Sequence, residues 1–244
     1  MKKQILFILA THEDEAFSLD VFKKLEKAMP KDLYGYNWVI GNKKALKKGV
    51  RFVDADLNRS APGNSNSSVY EERRAAELIK LANEYNFIID IHGTVSNAGI
   101  FTLIPKPTLQ NILFAMTLPI KRNVLWYSRR SLRNGPIVQF CRPPALEIEC
   151  GPKDDQKTNV NLEAILKDIL KMLAKPAYEE VIKRLNQKTF FSVYGSQKEW
   201  DKNLRDFQLA RINNEEFIPL LVSQYKDIAC YKMKKVNFQD LFIY

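Results

Sequence analysis

The first three quarters of the chain alternate between short apolar runs and longer segments with helical spacing. Apolar runs of strand length occupy residues 4–10, 36–40, 87–91 and 145–149. In the segments between them, apolar residues recur every three or four positions, as on one face of a helix. Strands that alternate with helices in this way are typical of an α/β domain built on a central sheet.

The same patterns place the remaining elements of this domain. Two further strands are predicted at 100–104 and 123–127, and a long polar loop at 51–68 lacks any periodicity. A shorter polar loop is predicted at 131–136. Helices are predicted at 14–29, 42–48, 69–85 and 109–116, and a helical region begins at 162–173 and runs towards 185 with a break at Pro176.

The pattern changes after about residue 188. Short β-rich pieces appear at 189–193, 216–222 and 228–232. We therefore predict a main domain over residues 1–186 and a small β-rich C-terminal module over residues 187–244 that packs on it.

Composition limits the class of protein. The 45% of hydrophobic residues suffices for a full core, and no apolar run reaches the ~18–20 residues of a membrane span, so no membrane partner is expected. The three cysteines are odd in number and form no C-x-x-C pair, which favours a reducing compartment and a cytoplasmic location. The net charge of +10 is interpreted first as a soluble lysine-rich surface, and second as an attraction for anions.

The two histidines of the chain both lie where an apolar strand is predicted to end. His12 begins the run H-E-D-E, which also contains Glu15, and His92 closes F-I-I-D-I-H. Taken alone, His12 could be part of a capped helix start and His92 a hydrogen-bonded core residue. Together with strand-end carboxylates they are the ligand types of a catalytic zinc site, and open α/β sheets bind ligands at the carboxyl ends of their strands.

Further carboxylates accompany these strand ends. Asp90 shares a strand face with His92, so it could hold the imidazole in one tautomer, or instead bond the following turn. Glu147 and Glu149 also share a face, and spacing alone leaves open which of them acts as a base beside the metal. A salt bridge to a basic residue is the alternative for either carboxylate.

The segment 51–59, R-F-V-D-A-D-L-N-R, is dense in polar groups. Arg51 could polarise a carbonyl and stabilise an oxyanion. Asn58 and Arg59 could bind a substrate carboxylate, because a guanidinium offers a bidentate fork. The alternative is a polar loop held together by Asp–Arg pairs.

The order of these motifs resembles the succinylglutamate desuccinylase/aspartoacylase family, which has the zinc carboxypeptidase fold. The motifs stand here as H-E-D-E at 12–15, R-F-V-D-A-D-L-N-R at 51–59, D-I-H-G-T at 90–94 and E-C-G-P at 149–152. The resemblance implies a mixed central sheet with helices on both faces. It also implies one Zn²⁺ per chain and cleavage of the amide bond of a small anionic N-acyl amino acid.

The resemblance also assigns individual residues. It implies that His12, Glu15 and His92 are the zinc ligands and that Glu149, rather than Glu147, is the general base. It implies that Arg51 polarises the carbonyl. By the same resemblance, Asn58 and Arg59 bind the substrate carboxylate.

Departures from the family pattern fall mainly on specificity. Glu13 stands where the family usually has Gly. Arg133 and Arg142 are candidates for the substrate-selecting arginine, and Gln139 stands nearest its expected spacing. For the C-terminal tyrosine that contacts substrate, Tyr231 is the first match and Tyr225 the second.

Two other functions remain open at this point. A zinc carboxypeptidase would use the same metal site and an arginine for the terminal carboxylate of a peptide. A basic nucleic-acid-binding module would require a clustered Lys/Arg face with exposed aromatic residues, and the chain has no recognisable motif of that kind.

Overall fold

A mixed sheet of ten strands forms the centre of the computed structural model, which describes residues 5–127, 133–174, 178–185 and 187–242. Gln4, Pro176 and residues 131–132 of the predicted 131–136 loop lie outside the described residues. The strands are β1 (Ile5–Leu9), β2 (Tyr36–Ile40), β3 (Phe87–Gly93), β4 (Gly99–Ile104), β5 (Arg122–Leu125), β6 (Ala145–Gly151), β7 (Thr189–Gln197), β8 (Ala210–Ile212), β9 (Glu215–Leu220) and β10 (Cys230–Val236).

The sheet order is β2-β1-β3-β6-β4-β5-β7-β10-β9-β8. Strands β2, β1, β3 and β6 are mutually parallel, so their carboxyl ends lie along one edge of the sheet. β4 runs antiparallel to β6, and β5 is parallel to β4. The predicted α/β fold with a mixed central sheet is therefore confirmed.

The helices of the described ranges are α1 (Phe17–Ala28), α2 (Lys31–Tyr34), α3 (Lys43–Lys48), α4 (Tyr70–Ala82), α5 (Leu109–Thr117), α6 (Ile137–Phe140), α7 (Gln156–Ala174) and α8 (Tyr178–Leu185). Phe7 and Leu9 of β1 pack with apolar residues of α1, α5 and α7, whereas Leu6 and Ile8 pack with those of α4 and α6. Because strand side chains alternate between the two faces, helices cover both sides of the sheet. None of these helices has both the length and the apolar character that crossing a membrane requires.

Several boundaries differ from those the pattern predicted. The predicted helix at 14–29 is a 3-10 turn, Glu13–Glu15, followed by α1, because the Glu15 carboxylate folds back to accept a bond from the His12 backbone N–H at 3.1 Å. α7 begins at residue 156, ahead of the predicted 162. Its first turns are largely polar and exposed, so they show no apolar periodicity that could have predicted them. The short elements α2, α6 and β8 were not predicted, because three or four residues are too few to show a period.

The strands after residue 187 continue the same sheet. β7 pairs in parallel with β5, and β10 pairs with β7 through an antiparallel ladder. Phe191 and Met233 from these strands join Phe101 and Val124 of the preceding part in one apolar cluster. The division into residues 1–186 and 187–244 remains our proposal. The three cysteines, Cys141, Cys150 and Cys230, are free and buried.

The long loop predicted at 51–68 contains one 3-10 turn, Leu57–Arg59, and is fixed by the buried carboxylate of Glu71 on α4. Glu71 accepts bonds from the backbone N–H groups of Val53 (2.7 Å), Asp54 (3.1 Å) and Ala55 (3.1 Å), and from Asn42 Nδ2 (3.0 Å). Burial raises the pKa of Glu71, but these bonds outweigh it and lower the pKa overall. The anchored carboxylate thus holds the start of the loop against α4.

We predict that Glu71→Ala destabilises the protein. Backbone donors left unsatisfied in a buried site cost about 1–3 kcal/mol in free energy of unfolding, and chemical denaturation measures the change. Lys80→Ala on the same helix is the control, because the Lys80 side chain is exposed, and it should change the stability by less than about 0.5 kcal/mol. Equal stability losses for the two variants would contradict the anchoring role.

Candidate functional site

Three buried side chains converge at the carboxyl ends of β1 and β3. His12 Nδ1 lies 3.0 Å from Glu15 Oε1, and His92 Nδ1 lies 3.3 Å from the same oxygen. One ligand atom from each of the three residues lies within 4.8 Å of the others. Two imidazole nitrogens and a carboxylate oxygen are the donor set of a catalytic zinc site that leaves a position for water.

Local backbone geometry brings these residues together. β1 ends at Leu9, and Ala10 takes a left-handed conformation (φ 51°) that redirects the chain before His12. β3 continues to Gly93, so His92 lies one residue before the strand ends, with its Nδ1 atom beside Glu15. Gly151, at the end of β6, is required by close packing, since a Cβ there would lie 2.4 Å from Ser96 O. The β3 and β6 ends are thereby held tightly together.

The second nitrogen of each imidazole faces a carboxylate. His12 Nε2 lies 2.9 Å from Asp56 Oδ1, and His92 Nε2 lies 3.1 Å from Asp90 Oδ2. Asp90 also accepts a bond from Thr11 Oγ1 at 3.0 Å. Carboxylates in such positions orient a ligand histidine and fix its tautomer. Asp56 makes such a hydrogen bond to His12, whereas Asp90 lies within ion-pair distance of His92 Nε2 but outside hydrogen-bond geometry, so its expected role remains a proposal.

The electrostatics of the cluster follow from this pairing. Burial lowers the pKa of His12, but its bonds to Asp56 and Glu15 outweigh burial and raise it to about 9. The pKa of Glu15 falls well below its usual range, because the charge of His92 and the bond to His12 outweigh the effect of burial. Glu15 is therefore ionised at neutral pH. A divalent cation would be stabilised by that charge.

Glu147 and Glu149 both face this cluster but differ in their surroundings. In the β3–β6 register Glu149 is the partner of His92, and Glu147 is the partner of Asp90. Glu147 Oε1 accepts a bond from Asn58 Nδ2 at 3.1 Å. Burial is the first cause that raises the pKa of both carboxyls, to about 8 for Glu147 and about 7 for Glu149.

Two adjoining cavities lead to these residues. The smaller, of about 90 Å³, is lined by the His12–Glu15–His92 cluster together with Arg51. The larger, of about 460 Å³, adjoins it and is lined by Glu147. Both are lined by Glu149, which therefore lies where the metal cluster meets the cleft, and they also share Asn58, Arg59, Leu221 and Tyr225.

The polar loop at 51–59 contributes four side chains to these cavities, Arg51, Asp56, Asn58 and Arg59. Arg51 lines the smaller cavity and pairs with Asp14 Oδ1 at 3.1 Å. Arg59 is largely exposed and pairs with Asp56 Oδ2 at 2.7 Å, which is the Asp–Arg pairing considered as the alternative to substrate binding. A guanidinium and a primary amide each have more N–H donors than one such bond uses, so Arg59 and Asn58 retain donors for a substrate.

The structure separates the candidates for specificity. Tyr225 lines both cavities, whereas Tyr231 is not among the described residues that line either and packs behind Tyr225 with its ring centroid 5.7 Å away. Arg133 and Arg142 are both exposed and line neither of the two cavities. Gln139 is buried.

The departure at Glu13 costs no backbone strain. Glu13 starts the 3-10 turn and is not among the described residues with positive φ. Its side chain is partly exposed, beside the buried Glu15. The substitution of the family's usual Gly is therefore compatible with the ligand geometry seen here.

Sequence reasoning missed two contributions to the site. Asp56 was considered only as one of the aspartates that could pair with an arginine of the 51–59 loop, and its bond to His12 depends on how that loop folds. Gln224 lines the smaller cavity and accepts bonds from Thr94 Oγ1 (2.6 Å) and the Val95 N–H (2.8 Å), so it ties the C-terminal part to the β3 end. Neither residue carried a spacing signal that could have identified it.

Comparisons with known proteins show what this chain is similar to. Residues 4–118 match the family model for the succinylglutamate desuccinylase/aspartoacylase catalytic domain. A probable aspartoacylase of Prochlorococcus marinus subsp. pastoris is 28% identical over 158 residues, which are 61% of this chain and 53% of that relative. The chain thus spans about half the length of the curated relatives it matches.

Solved structures are similar to this chain over nearly its whole length. Murine aminoacylase 3 has a TM-score of 0.73 at 16% identity, covering 96% of both chains. The succinylglutamate desuccinylase from Chromobacterium violaceum has a TM-score of 0.63 at 17% identity, covering 97% of this chain and 86% of that one. The expected zinc-carboxypeptidase-like fold is confirmed.

We predict that His92→Ala loses most of a divalent metal that the purified protein binds, because one of three converging ligands is removed. Elemental analysis after dialysis against zinc measures the metal content. Glu13→Ala is the matched control, since Glu13 lies in the same turn but outside the cluster, and it should keep its metal. Stoichiometric metal retained at this site in His92→Ala would show that the ligand set is wrong.

Proposed function

Because residues 4–118 match the catalytic-domain model of the succinylglutamate desuccinylase/aspartoacylase family, we propose that this chain belongs to that family and hydrolyses the amide bond of a small N-acylated amino acid. The observation that carries the proposal is the convergence of His12 Nδ1, Glu15 Oε1 and His92 Nδ1 beside Glu149, at the junction of two cavities. A cytoplasmic location, expected from the cysteines, belongs to the same proposal.

The residues present fit one zinc ion per chain. His12, Glu15 and His92 would hold it, and Asp56 and Asp90 would keep the two imidazoles oriented. In sites of this kind zinc lowers the pKa of a water molecule towards ~7 and polarises the substrate carbonyl. The ionised Glu15 would supply negative charge, and the two imidazoles would release their protons on binding the metal and hold it in their neutral form.

Glu149 is the proposed general acid–base. A carboxyl with a pKa of about 7 can accept the proton of the attacking water and later return it to the departing nitrogen near neutral pH. Glu149 lines both cavities, whereas Glu147 is engaged by Asn58. The geometry therefore supports Glu149 over Glu147, in agreement with the family resemblance.

Arg51 and the Asn58–Arg59 pair are proposed to act on the substrate directly. Arg51 lines the cavity that contains the metal cluster, where its charge can stabilise the developing oxyanion. Arg59 and Asn58 line both cavities, so they can bind the substrate carboxylate next to the scissile bond. Arg133 and Tyr231, also expected to bind substrate, lie outside the cavity linings, and we assign the tyrosine contact to Tyr225 instead.

We predict that Glu149→Gln retains metal and fold but lowers turnover by about 10²–10⁴-fold, the usual contribution of a positioned acid–base group. Steady-state kinetics on N-acyl amino acids give the rate, and metal analysis confirms an intact site. Glu147→Gln is the matched control on the same strand face and should retain most of the activity. A normal Glu149→Gln beside an inactive Glu147→Gln would reverse the assignment.

A further prediction concerns Arg59. If it binds the substrate carboxylate, Arg59→Ala should lower kcat/KM for a free acid by about one to two orders of magnitude and spare the matched amide. Arg59→Lys should recover only part of the loss, because an ammonium lacks the planar fork.

The observed Arg59–Asp56 ion pair gives the competing outcome. If Arg59 only stabilises its loop, Arg59→Ala lowers the melting temperature and depresses activity on acid and amide alike. A C-terminal dipeptide assayed beside the two substrates tests the carboxypeptidase alternative, because preference for the dipeptide would favour that activity.

A further inference from the structure

The lining of the larger cavity has a polar part and an apolar part. The polar part includes Asn58, Arg59, Glu147 and Glu149. The apolar part consists of Leu103 of β4 and Pro105 just after it, Trp126 after β5, and Leu221 and Tyr225 of the C-terminal part, the last two of which also line the smaller cavity. We call these five residues the apolar wall. The segment 134–136 completes the described lining.

The apolar wall is supported from behind by packed aromatic rings. Tyr231 contacts Trp126 edge-to-face at 4.3 Å between ring centroids, and contacts Tyr225 at 5.7 Å and 85°. Leu103 and Leu221 belong to a buried cluster that also includes Phe101. Because the supporting side chains are packed against one another, the wall is formed before any ligand arrives, which reduces the entropic cost of binding.

The charged residues of the described lining do not favour a substrate with a second carboxylate. Among the described residues of its lining, Arg59 is the one cation, and it is already paired with Asp56. The two other charged residues of the lining are the carboxyls Glu147 and Glu149. A side-chain carboxylate reaching past Arg59 would meet the apolar wall, where burial without a partner is unfavourable.

The sizes of the two cavities indicate which part of the substrate each cavity would hold. The cavity of about 90 Å³ contains the metal cluster and Arg51, so the scissile carbonyl and its acyl group belong there and the acyl group is short. The cavity of about 460 Å³ shares Asn58 and Arg59 with it. An amino-acid side chain leaves the same carbon as the carboxylate that those residues are proposed to bind, and it therefore extends into the larger cavity.

We propose that the apolar wall is a side-chain subsite that selects short-chain N-acyl amino acids with a bulky apolar side chain, aromatic ones above all. This inference rests on the proposed function and names its substrate class. Trp126 is the central specificity residue of the subsite. Its ring offers a large flat contact surface, and Tyr231 holds it in place.

The test compares N-acetyl-L-phenylalanine, N-acetyl-L-alanine and N-acetyl-L-aspartate as substrates of the zinc-loaded protein. We expect kcat/KM for the phenylalanine derivative to exceed that for the aspartate derivative by about 10–100-fold, since even one methylene in an apolar pocket changes kcat/KM by about 10-fold or more. Trp126→Ala should lower kcat/KM for the phenylalanine derivative by a larger factor than for the alanine derivative. Trp126→Phe, which keeps a ring against Tyr231, should lie between.

Trp200→Ala is the matched control, because Trp200 is 57% exposed and lies outside both cavity linings; it should leave the preference unchanged. Calorimetry with the free products, L-phenylalanine and L-aspartate, measures their affinity for the subsite without catalysis. If phenylalanine binds more tightly than aspartate and Trp126→Ala weakens its binding, the inference is supported, even if no derivative is hydrolysed. The absence of hydrolysis would contradict the proposed function and not the subsite. Preferred hydrolysis and binding of the aspartate compounds would overturn the subsite and leave the deacylase proposal standing.

Discussion

The buried carboxylate of Glu15, shared by two imidazoles, is the interaction on which the site depends. A carboxylate removed from water is costly unless positive charge or hydrogen bonds compensate it. Here the compensation comes from His12 and His92, which approach the same oxygen at 3.0 and 3.3 Å. The chain places these two histidines on different strands, so the folded sheet itself creates the pair. A metal cation at this point would satisfy all three groups at once.

The sheet order supplies that geometry. Because β1, β3 and β6 are adjacent and parallel, residues that follow or end them meet at one edge. The antiparallel β4 then carries Leu103 to the same face next to Glu147, where it begins the apolar wall. The 51–59 loop closes the other side, and Glu71 fixes its start through three backbone N–H groups. The groups proposed for catalysis and binding thus derive from one sheet edge and one anchored loop.

How much of this could be predicted depended on where each signal lies in the chain. His12, Glu15 and His92 could be identified because each follows or ends an apolar run, and strand ends converge by topology alone. Asp56 could not be identified as the partner of His12, since that contact depends on the three-dimensional course of a loop without periodicity.

The choice between the two candidate tyrosines could not be made from the sequence either. Tyr231 and Tyr225 were both open from the sequence, and only the fold of the C-terminal part shows that Tyr225 reaches the cavities while Tyr231 supports it from behind. Short elements such as α6 and β8 escaped prediction because their length gives no period, and their positions are set by packing on neighbouring elements.

The most direct test of this account is X-ray diffraction from crystals grown with zinc, recorded on both sides of the zinc absorption edge. The account predicts one strong anomalous peak per chain, within bonding distance of His12 Nδ1, Glu15 Oε1 and His92 Nδ1, that disappears below the edge. A zinc peak elsewhere with this cluster unoccupied, or no zinc peak at all, would contradict it.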